Sequence, residues 1–401
     1  MDPFILVLNA GSSSLKYSLI NLSKEYQRCS GLIDRIGETR STHTQNLNGS
    51  SEKTELKISD HRQAIERVFS SLIQLPYYKP ESLICVAHRV VHGGEYFHSP
   101  ARIDTQVIHT IRDLISLAPL HNPANLLGIE VSLAQLPNVP QVAVFDTAFH
   151  QTLPEYAFRY AVPENWYRQH AVRRYGFHGS SHAYVSEKAA QWLNRPSEKC
   201  NFISLHLGNG ASACAIAQGC SVDTSMGMTP LEGLVMGTRC GDIDPSIIFY
   251  LQRHLQWSSA EIENALNKHS GLKGICDEND MRSIHQRAEA GDQSAELARI
   301  VFAYRLKKYI GAYMAVLGHL DAVIFTGGIG ENDVWLREHC LEGLSGFGLR
   351  LDNSFNHHCN HTVTVISSVD SLVPILVVRT DEELQIAQES YQYLLLSSTK
   401  N

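Results

Sequence analysis

The chain has 401 residues, 43% of them hydrophobic, with 34 basic against 41 acidic side chains and a formal net charge of −7. That length exceeds one comfortable core and predicts two domains, while the acidic balance excludes the electrostatic footprint of a nucleic-acid or anionic-membrane binder. Any anionic ligand must be held by a local site. No apolar stretch reaches the length of a membrane span, and residues 4–8 lack the basic flank and cleavage site of a signal peptide. Nine scattered cysteines form no disulfide framework and fit a reducing cytoplasm.

The segment from Phe4 to Ile20 begins as an apolar run, breaks at Gly11 among serines, and resumes alternation. This predicts a strand, a small-residue turn and a second strand. Glycine and serine there allow backbone N–H groups to converge on an anion. The polar stretch from Thr39 to Ser59 predicts hairpins or loops, and His61 to Leu75 a helix. Leu83 to Val91 and Gln141 to Phe145 are predicted strands that deliver polar residues, His92 and Asp146, at their C-terminal ends. Asn122 to Leu136 has proline just inside its start and predicts a helix.

Half a chain later, Phe202 to Ile216 repeats the opening pattern, with strands at 202–207 and 211–217 around Leu207 to Gly210. A long helix follows at Ser294 to Leu317, whose apolar stripe of Leu306, Ile310, Tyr313, Met314 and Leu317 reads as core packing. Ala322 to Phe325 predicts a buried strand opening into a third small-residue turn, Gly327 to Asn332, with a helix soon after. Asp381 to Leu396 predicts a last helix that crosses back to the first domain.

No Walker-type phosphate loop is present, and Gly328 and Gly330 lack the third glycine of a dinucleotide fingerprint. Three separate small-residue turns at strand ends stand in their place. Arg89, in an otherwise apolar strand, and Arg239, between glycines, offer the planar fork that grips carboxylate or phosphate oxygens. A structural ion pair is the competing reading, with Asp242 or Asp244 as partners. His178, between Phe177 and Gly179, and His121 are the histidines whose contexts can hold a ring toward a ligand. The run His357, His358, Cys359 and His361 sits in a polar loop and lacks the rigid support of a metal site.

The segments Asn9 to Lys16, His88 to Gly94, Ala118 to Asn125, Phe145 to His150, Tyr175 to His182, Leu207 to Gly210, Met236 to Pro245 and Thr326 to Asn332 together resemble the acetate kinases, and the resemblance runs on to Leu384. It implies an α/β fold of two duplicated actin-like (ribonuclease H-like) ATPase domains with mixed central sheets and an interdomain nucleotide cleft. The implied division is 1–150 plus 381–401 as the acetate and phosphate side and 151–380 as the nucleotide side. The implied activity is reversible transfer of a phosphoryl group between ATP and acetate with Mg²⁺, or Mn²⁺ in its place, in a cytoplasmic homodimer with no nucleic-acid or membrane partner.

By the same resemblance Arg89 holds the acetate carboxylate, Arg239 and His178 stabilise the phosphoryl group in flight, and His121 assists. Asp146 matches an active-site acid; acetate is already ionised at neutral pH and needs no general base, so an organising role for Asp146 is favoured over proton transfer. Val91, Leu120, Phe177 and Pro230 match the apolar pocket that sets acyl size. Ser12, Ser14, Lys16 and the turn His206, Leu207, Gly208, Asn209 and Gly210 match phosphate contacts; Asp280, Met281, Arg282 and Gly328, Ile329, Gly330, Glu331, Asn332 match the adenosine side. Asn9 and Glu382 match the metal pair, with Glu383 the adjacent alternative. A propionate or other short-chain carboxylate kinase is the nearest rival, and a nucleotide-binding regulatory or chaperone-like module the rival from another class.

Overall fold

The computed structural model describes residues 3–24, 28–47 and 49–398. The apolar run at the start of the chain becomes β1 (Phe4–Ala10), in which neighbouring side chains of both parities are buried, as in a strand covered on both faces. It pairs antiparallel with β2 (Ser14–Asn21), which leads to β3 (Arg28–Asp34) and the hairpin β4 (Ser41–Leu47) and β5 (Ser50–Leu56). Helix α1 (His61–Leu72) then precedes β6 (Leu83–Val90) and the short β7 (Ala101–Arg102). Helices α2 (Thr105–Asp113) and α3 (Asn122–Gln135) lead to β8 (Gln141–Phe145). The sheet order is β5-β4-β3-β2-β1-β6-β8-β7, with β1, β6 and β8 mutually parallel.

The second half begins with α4 (Glu155–Phe158), α5 (Glu164–His170) and α6 (Gly179–Trp192). Strands β9 (Asn201–Leu207), β10 (Ala211–Ala217) and β11 (Cys220–Thr224) follow, then α7 (Ser246–Leu255), α8 (Ser259–Lys268), α9 (Gly271–Cys276), α10 (Met281–Glu289) and α11 (Gln293–Leu317). After β12 (Ala322–Thr326) come α12 (Gly327–Asn332), α13 (Val334–Leu341), α14 (Asn353–Asn356), β13 (Val363–Val365), β14 (Ile375–Val378) and finally α15 (Glu382–Ser398). The second sheet runs β11-β10-β9-β12-β14-β13. Its order and directions match those of β3-β2-β1-β6-β8-β7 strand for strand, including an antiparallel strand at the far edge. The repeat legible in two strand–turn–strand segments therefore extends over six strands in each sheet.

The chain divides into two compact units, Met1–Ala148 with Asp381–Asn401, and Phe149–Thr380. In the first, α1 and α3 pack on the sheet around Leu6, Leu8, Leu15, Tyr17, Ile65, Val68 and Val86. Helix α15 packs against β1, β6 and β8. In the second, α6 packs on β9, β12 and β14 while α11 packs on β10 and β9.

Some expectations shift. The first helix ends at Leu72 and the strand predicted to reach Val91 ends at Val90. On α11, Leu306, Ile310 and Tyr313 are buried, but Met314 and Leu317 only partly so. The third small-residue turn is helical, because α12 begins at Gly327 itself.

Gly128 sets how closely α3 approaches β1, since a β-carbon added there would stand 2.8 Å from the Ala10 methyl. Filling that contact overpacks the layer. A Gly128→Val variant is expected to lose about 1–3 kcal/mol of stability, read as a lower midpoint in urea unfolding with an unchanged slope.

Candidate active site

In the first unit, β6 and β8 are parallel neighbours with Arg89 opposite Val144, so Arg89 and Asp146 emerge at the same sheet end. Arg89 donates Nε to Asp146 Oδ1 at 2.8 Å and Nη2 to Oδ2 at 2.7 Å, and its Nη1 lies 4.0 Å from Glu382 Oε2. Burial works against the Arg89 charge, but Asp146, Glu382 and Glu383 outweigh it and hold the guanidinium pKa above its ordinary value. The loop beyond β6 is pinned by two asparagines of α3. Asn122 exchanges hydrogen bonds with the His92 backbone at 3.1 Å each; Asn125 accepts from Val91 N at 3.1 Å and donates to Ala10 O at 2.8 Å. His121 stands just before them as the N-cap residue of α3.

The turn joining β1 and β2 keeps one N–H for itself, Gly11 to Ser14 O at 2.8 Å, as does the second turn, Gly208 to Gly210 O at 3.0 Å. One backbone donor of each turn is thus engaged within the turn itself. The Lys16 ammonium pairs with Glu383, which Arg28 approaches as well. Burial opposes the Glu383 charge, yet Lys16 and Arg28 prevail and lower its pKa. Glu383 is thus held by two cations, and Glu382 lies 4.0 Å from Arg89. Asn9 on β1 and Glu382 at the start of α15 offer hard oxygen donors, the chemistry that Mg²⁺ requires.

In the second unit, His178 adopts a left-handed backbone, φ 57°, as α6 begins. Its Nδ1 lies 2.9 Å from Ser212 Oγ, and its ring stacks on His206 at 4.3 Å between centroids. A methyl group placed on Gly210 would stand 3.6 Å from both His178 Nε2 and Arg239 Nη2. Two nitrogen groups thus converge over a residue that has no side chain.

Arg239 donates Nη1 to Pro230 O at 2.8 Å, and among the described residues no carboxylate pairs with it. Burial alone pulls its pKa down. The expected ion-pair alternative does not form: Asp242 is taken by Tyr309 at 2.8 Å and Arg305 at 3.4 Å, and Asp244 accepts from the Ser246 backbone.

Behind His178 lies a buried polar network that sequence reasoning passed over. His182 reaches Ser212 Oγ at 2.8 Å and Ser204 Oγ at 2.9 Å; His150 reaches Ser221 Oγ at 2.8 Å and Phe177 O at 3.0 Å. Burial, with His150 and His206 adding to it, drives the His182 pKa well below normal; burial takes His150 to about 4. Their only sequence signal was membership of the quoted motifs.

A cavity of about 910 Å³ is lined by Gly208, Asn209, Asp280, Met281, Arg282, Gly328, Ile329 and Asn332, all named from sequence as nucleotide contacts. Asn279, His285, Glu289, Asp333, Val334 and Trp335 line it too and were missed. His285 has a fixed tautomer. Arg299 donates to its Nδ1 at 3.3 Å, so its Nε2 carries the proton given to Asp333 at 2.8 Å. Its ring, beside Trp335 at 5.4 Å, offers an apolar wall. Glu331 faces elsewhere: its Oε1 accepts from Gly327 N and Thr380 N, each at 3.1 Å.

The four residues expected to form the acyl pocket divide between the units, Val91 and Leu120 in the first, Phe177 and Pro230 in the second. Phe177 is fully buried, 1% exposed, and Leu120 is 52% exposed. The His357–His361 run gathers no group of three metal-binding side chains among the described residues; His358 bonds the Ser354 carbonyl and Cys359 lies against Arg337.

The duplicated mixed sheet with helices packed against it is an α/β architecture shared with solved acetate and propionate kinases. The sequence profile described as the acetokinase family matches residues 4–388, and the chain belongs to that family of phosphotransferases with a carboxyl-group acceptor. An acetate kinase of Syntrophobacter fumaroxidans is 49% identical over 97% of this chain and 96% of that protein; one of Streptomyces coelicolor is 51% identical over 96% of each. Among solved structures, an acetate kinase of Porphyromonas gingivalis superposes with a TM-score of 0.92 at 41% identity, covering 98% of this chain and 100% of that one. A propionate kinase of Francisella tularensis superposes at 0.91 and 44% identity, covering 96% and 98%.

The buried His150 makes stability depend on pH. Its folded pKa lies below the unfolded value, so between about pH 6.5 and about pH 4 the unfolded chain binds a proton that the native ring refuses. Stability therefore falls as pH falls through that window. Lowering the pH from about 7 to about 5 should remove about 2 kcal/mol through His150. Thermal unfolding at the two pH values checks this, and a His150→Gln variant should show a smaller difference.

Proposed function

We propose that this chain catalyses reversible phosphoryl transfer from ATP to acetate, giving acetyl phosphate and ADP. The observation that carries the reading is the convergence of His178 Nε2 and Arg239 Nη2 over Gly210, with the half-buried Arg239 guanidinium unmatched by any carboxylate among the described residues. A half-buried cation held by a carbonyl and a thioether is completed by an anion, and a phosphoryl group in flight carries its charge on oxygens such donors can meet.

The second unit takes the nucleotide. The base and ribose occupy the cavity walled by Met281, Ile329, His285 and Trp335, with Asp280, Arg282, Gly328 and Asn332 around them. The phosphates follow the turn His206–Gly210 toward His178 and Arg239. The first unit takes the acceptor. Asp146 grips Arg89 through two hydrogen bonds and fixes its plane, so that the guanidinium is oriented before the acetate carboxylate arrives. No proton needs to be removed from the attacking oxygen, so Asp146 serves as an organiser. His121 and Val91 flank that group, and Ser12 and Ser14 address phosphate oxygens.

Asn9 and Glu382 would hold Mg²⁺, which would supply neutralisation of phosphate charge. Acetate buries only a methyl group. An added methylene changes the free energy by about 1–3 kcal/mol, so discrimination against propionate is modest. The likeness to a propionate kinase keeps propionate as the second reading. Steady-state kinetics decide: kcat/KM should favour acetate, and a higher value for propionate would reverse the acceptor. Arg89→Ala should lower kcat/KM for acetate by about 100-fold or more in the folded variant. A folded variant with unimpaired turnover would reduce the Arg89–Asp146 pair to a structural one.

The homodimer also belongs to this proposal. Helix α7 buries no side chain, although Ile247, Phe249, Tyr250 and Leu255 are apolar and exposed, and Trp257 follows it. A second copy of the chain covers that face. Sedimentation should show a dimer, and Phe249→Glu should shift it to monomer.

A further inference from the structure

We propose that Glu331 is a positioning residue rather than a nucleotide ligand, tying the first turn of α12 to Thr380, where the chain leaves the second unit. The inference rests on the reading that α12 lines the nucleotide cavity. One carboxylate oxygen of Glu331 accepts from Gly327 N at 3.1 Å, Thr326 Oγ1 at 3.5 Å and Thr380 N at 3.1 Å. The donors come from two chain segments. Thr326 ends β12, and Thr380 follows β14, its parallel neighbour, in which Val377 stands opposite Phe325.

Thr380 has a second anchor. Its Oγ1 lies 2.9 Å from Ser181 Oγ, which lies 2.8 Å from His206 Nδ1. The C-terminal ends of β9, β12 and β14 are thereby joined by side chains: the phosphate turn through His206, the cavity helix through Glu331, and the exit of the chain through Thr380. Thr380 is followed at once by Asp381, Glu382 and Glu383. Asp381 accepts from Leu384 N at 3.0 Å and pairs with Arg28, so the chain is fixed on both sides of the exit.

The arrangement also assigns the start of α12. Its Gly327 N–H is already answered by a carboxylate of the same helix, and that carboxylate would repel a phosphate there. The phosphate chain is therefore left to the turn His206–Gly210, and α12 contributes shape through Gly328, Ile329 and Asn332. The dense glycine of this segment serves a close approach: Gly327 has φ 77°, and a β-carbon on it would stand 2.7 Å from Leu207 O.

Amide hydrogen exchange on the metal-free and nucleotide-free protein tests the tie directly, and kinetics test its use. Glu331→Ala should speed exchange at Thr380 and Gly327 by about tenfold or more, and raise KM for ATP by about tenfold while KM for acetate stays within about twofold. Glu331→Gln keeps an acceptor oxygen and should restore both. Equal rises in KM for ATP in the Ala and Gln variants, with Thr380 exchange unchanged, would make Glu331 a direct ligand and overturn the proposal. Faster exchange with unchanged kinetics would reduce it to a structural brace and overturn it as well. Should Glu331→Ala fail to fold, Glu331→Asp, one methylene shorter toward Thr380 N, decides: faster Thr380 exchange with a raised KM for ATP supports the tie, and unchanged Thr380 exchange contradicts it. Absence of ATP turnover with acetate in the unmodified protein would instead refute the proposed function, leaving the exchange result to judge the tie.

Discussion

A guanidinium cannot escape burial by giving up its proton, so each arginine drawn into this protein must be answered by an anion or by carbonyl oxygens. The answers differ in an orderly way. Arg89 is matched by Asp146 in two parallel hydrogen bonds. Arg337, 1% exposed, is met by Asn356 and the Gly330 carbonyl. Arg239 is met by the Pro230 carbonyl and the Met236 sulfur, with no carboxylate among the described residues, and burial depresses its pKa. The last case is the one that calls for an anionic substrate, and the proposed chemistry follows from it.

The same physics appears in each unit on a shared frame. Six strands in matching order carry their polar residues to the ends of parallel strands, where loops are free to vary while the sheet stays rigid. In the first unit those ends hold Arg89 and Asp146, with Glu382 beside them at the start of α15, a set rich in carboxylates and suited to a small acid and a cation. In the second they hold glycines and histidines, with Arg239 supplied by the loop between β11 and α7, suited to phosphates. Duplication supplied the scaffold, and the charge pattern at the strand ends distinguishes the halves.

The strands were legible because their apolar runs are short, β-branched and ended by glycine or a polar residue; β8 and β10 have the bounds read from the sequence. The repeat was legible because turn chemistry recurs with it. What escaped depended on partners remote in the chain. The Gly327–Asn332 segment read as a turn because its glycines disfavour helix, yet Glu331 and Arg337 satisfy its backbone and hold it helical. Trp335 and His285 looked like ordinary helix residues until folding placed them on one cavity wall. Nothing local in the sequence reveals that Glu383 stands beside Lys16. His150 and His182 were invisible as a network because serines from three different strands bind them.

The claim on which the account turns is that ATP and acetate are joined here into an acyl phosphate. Phosphorus NMR of the purified protein with ATP, Mg²⁺ and acetate follows that product directly, without coupling enzymes. The account predicts that an acetyl phosphate resonance grows in step with ADP, vanishes when acetate is omitted, and reverses when ADP and acetyl phosphate are supplied. ATP consumed to inorganic phosphate alone, or no conversion in either direction, would contradict it.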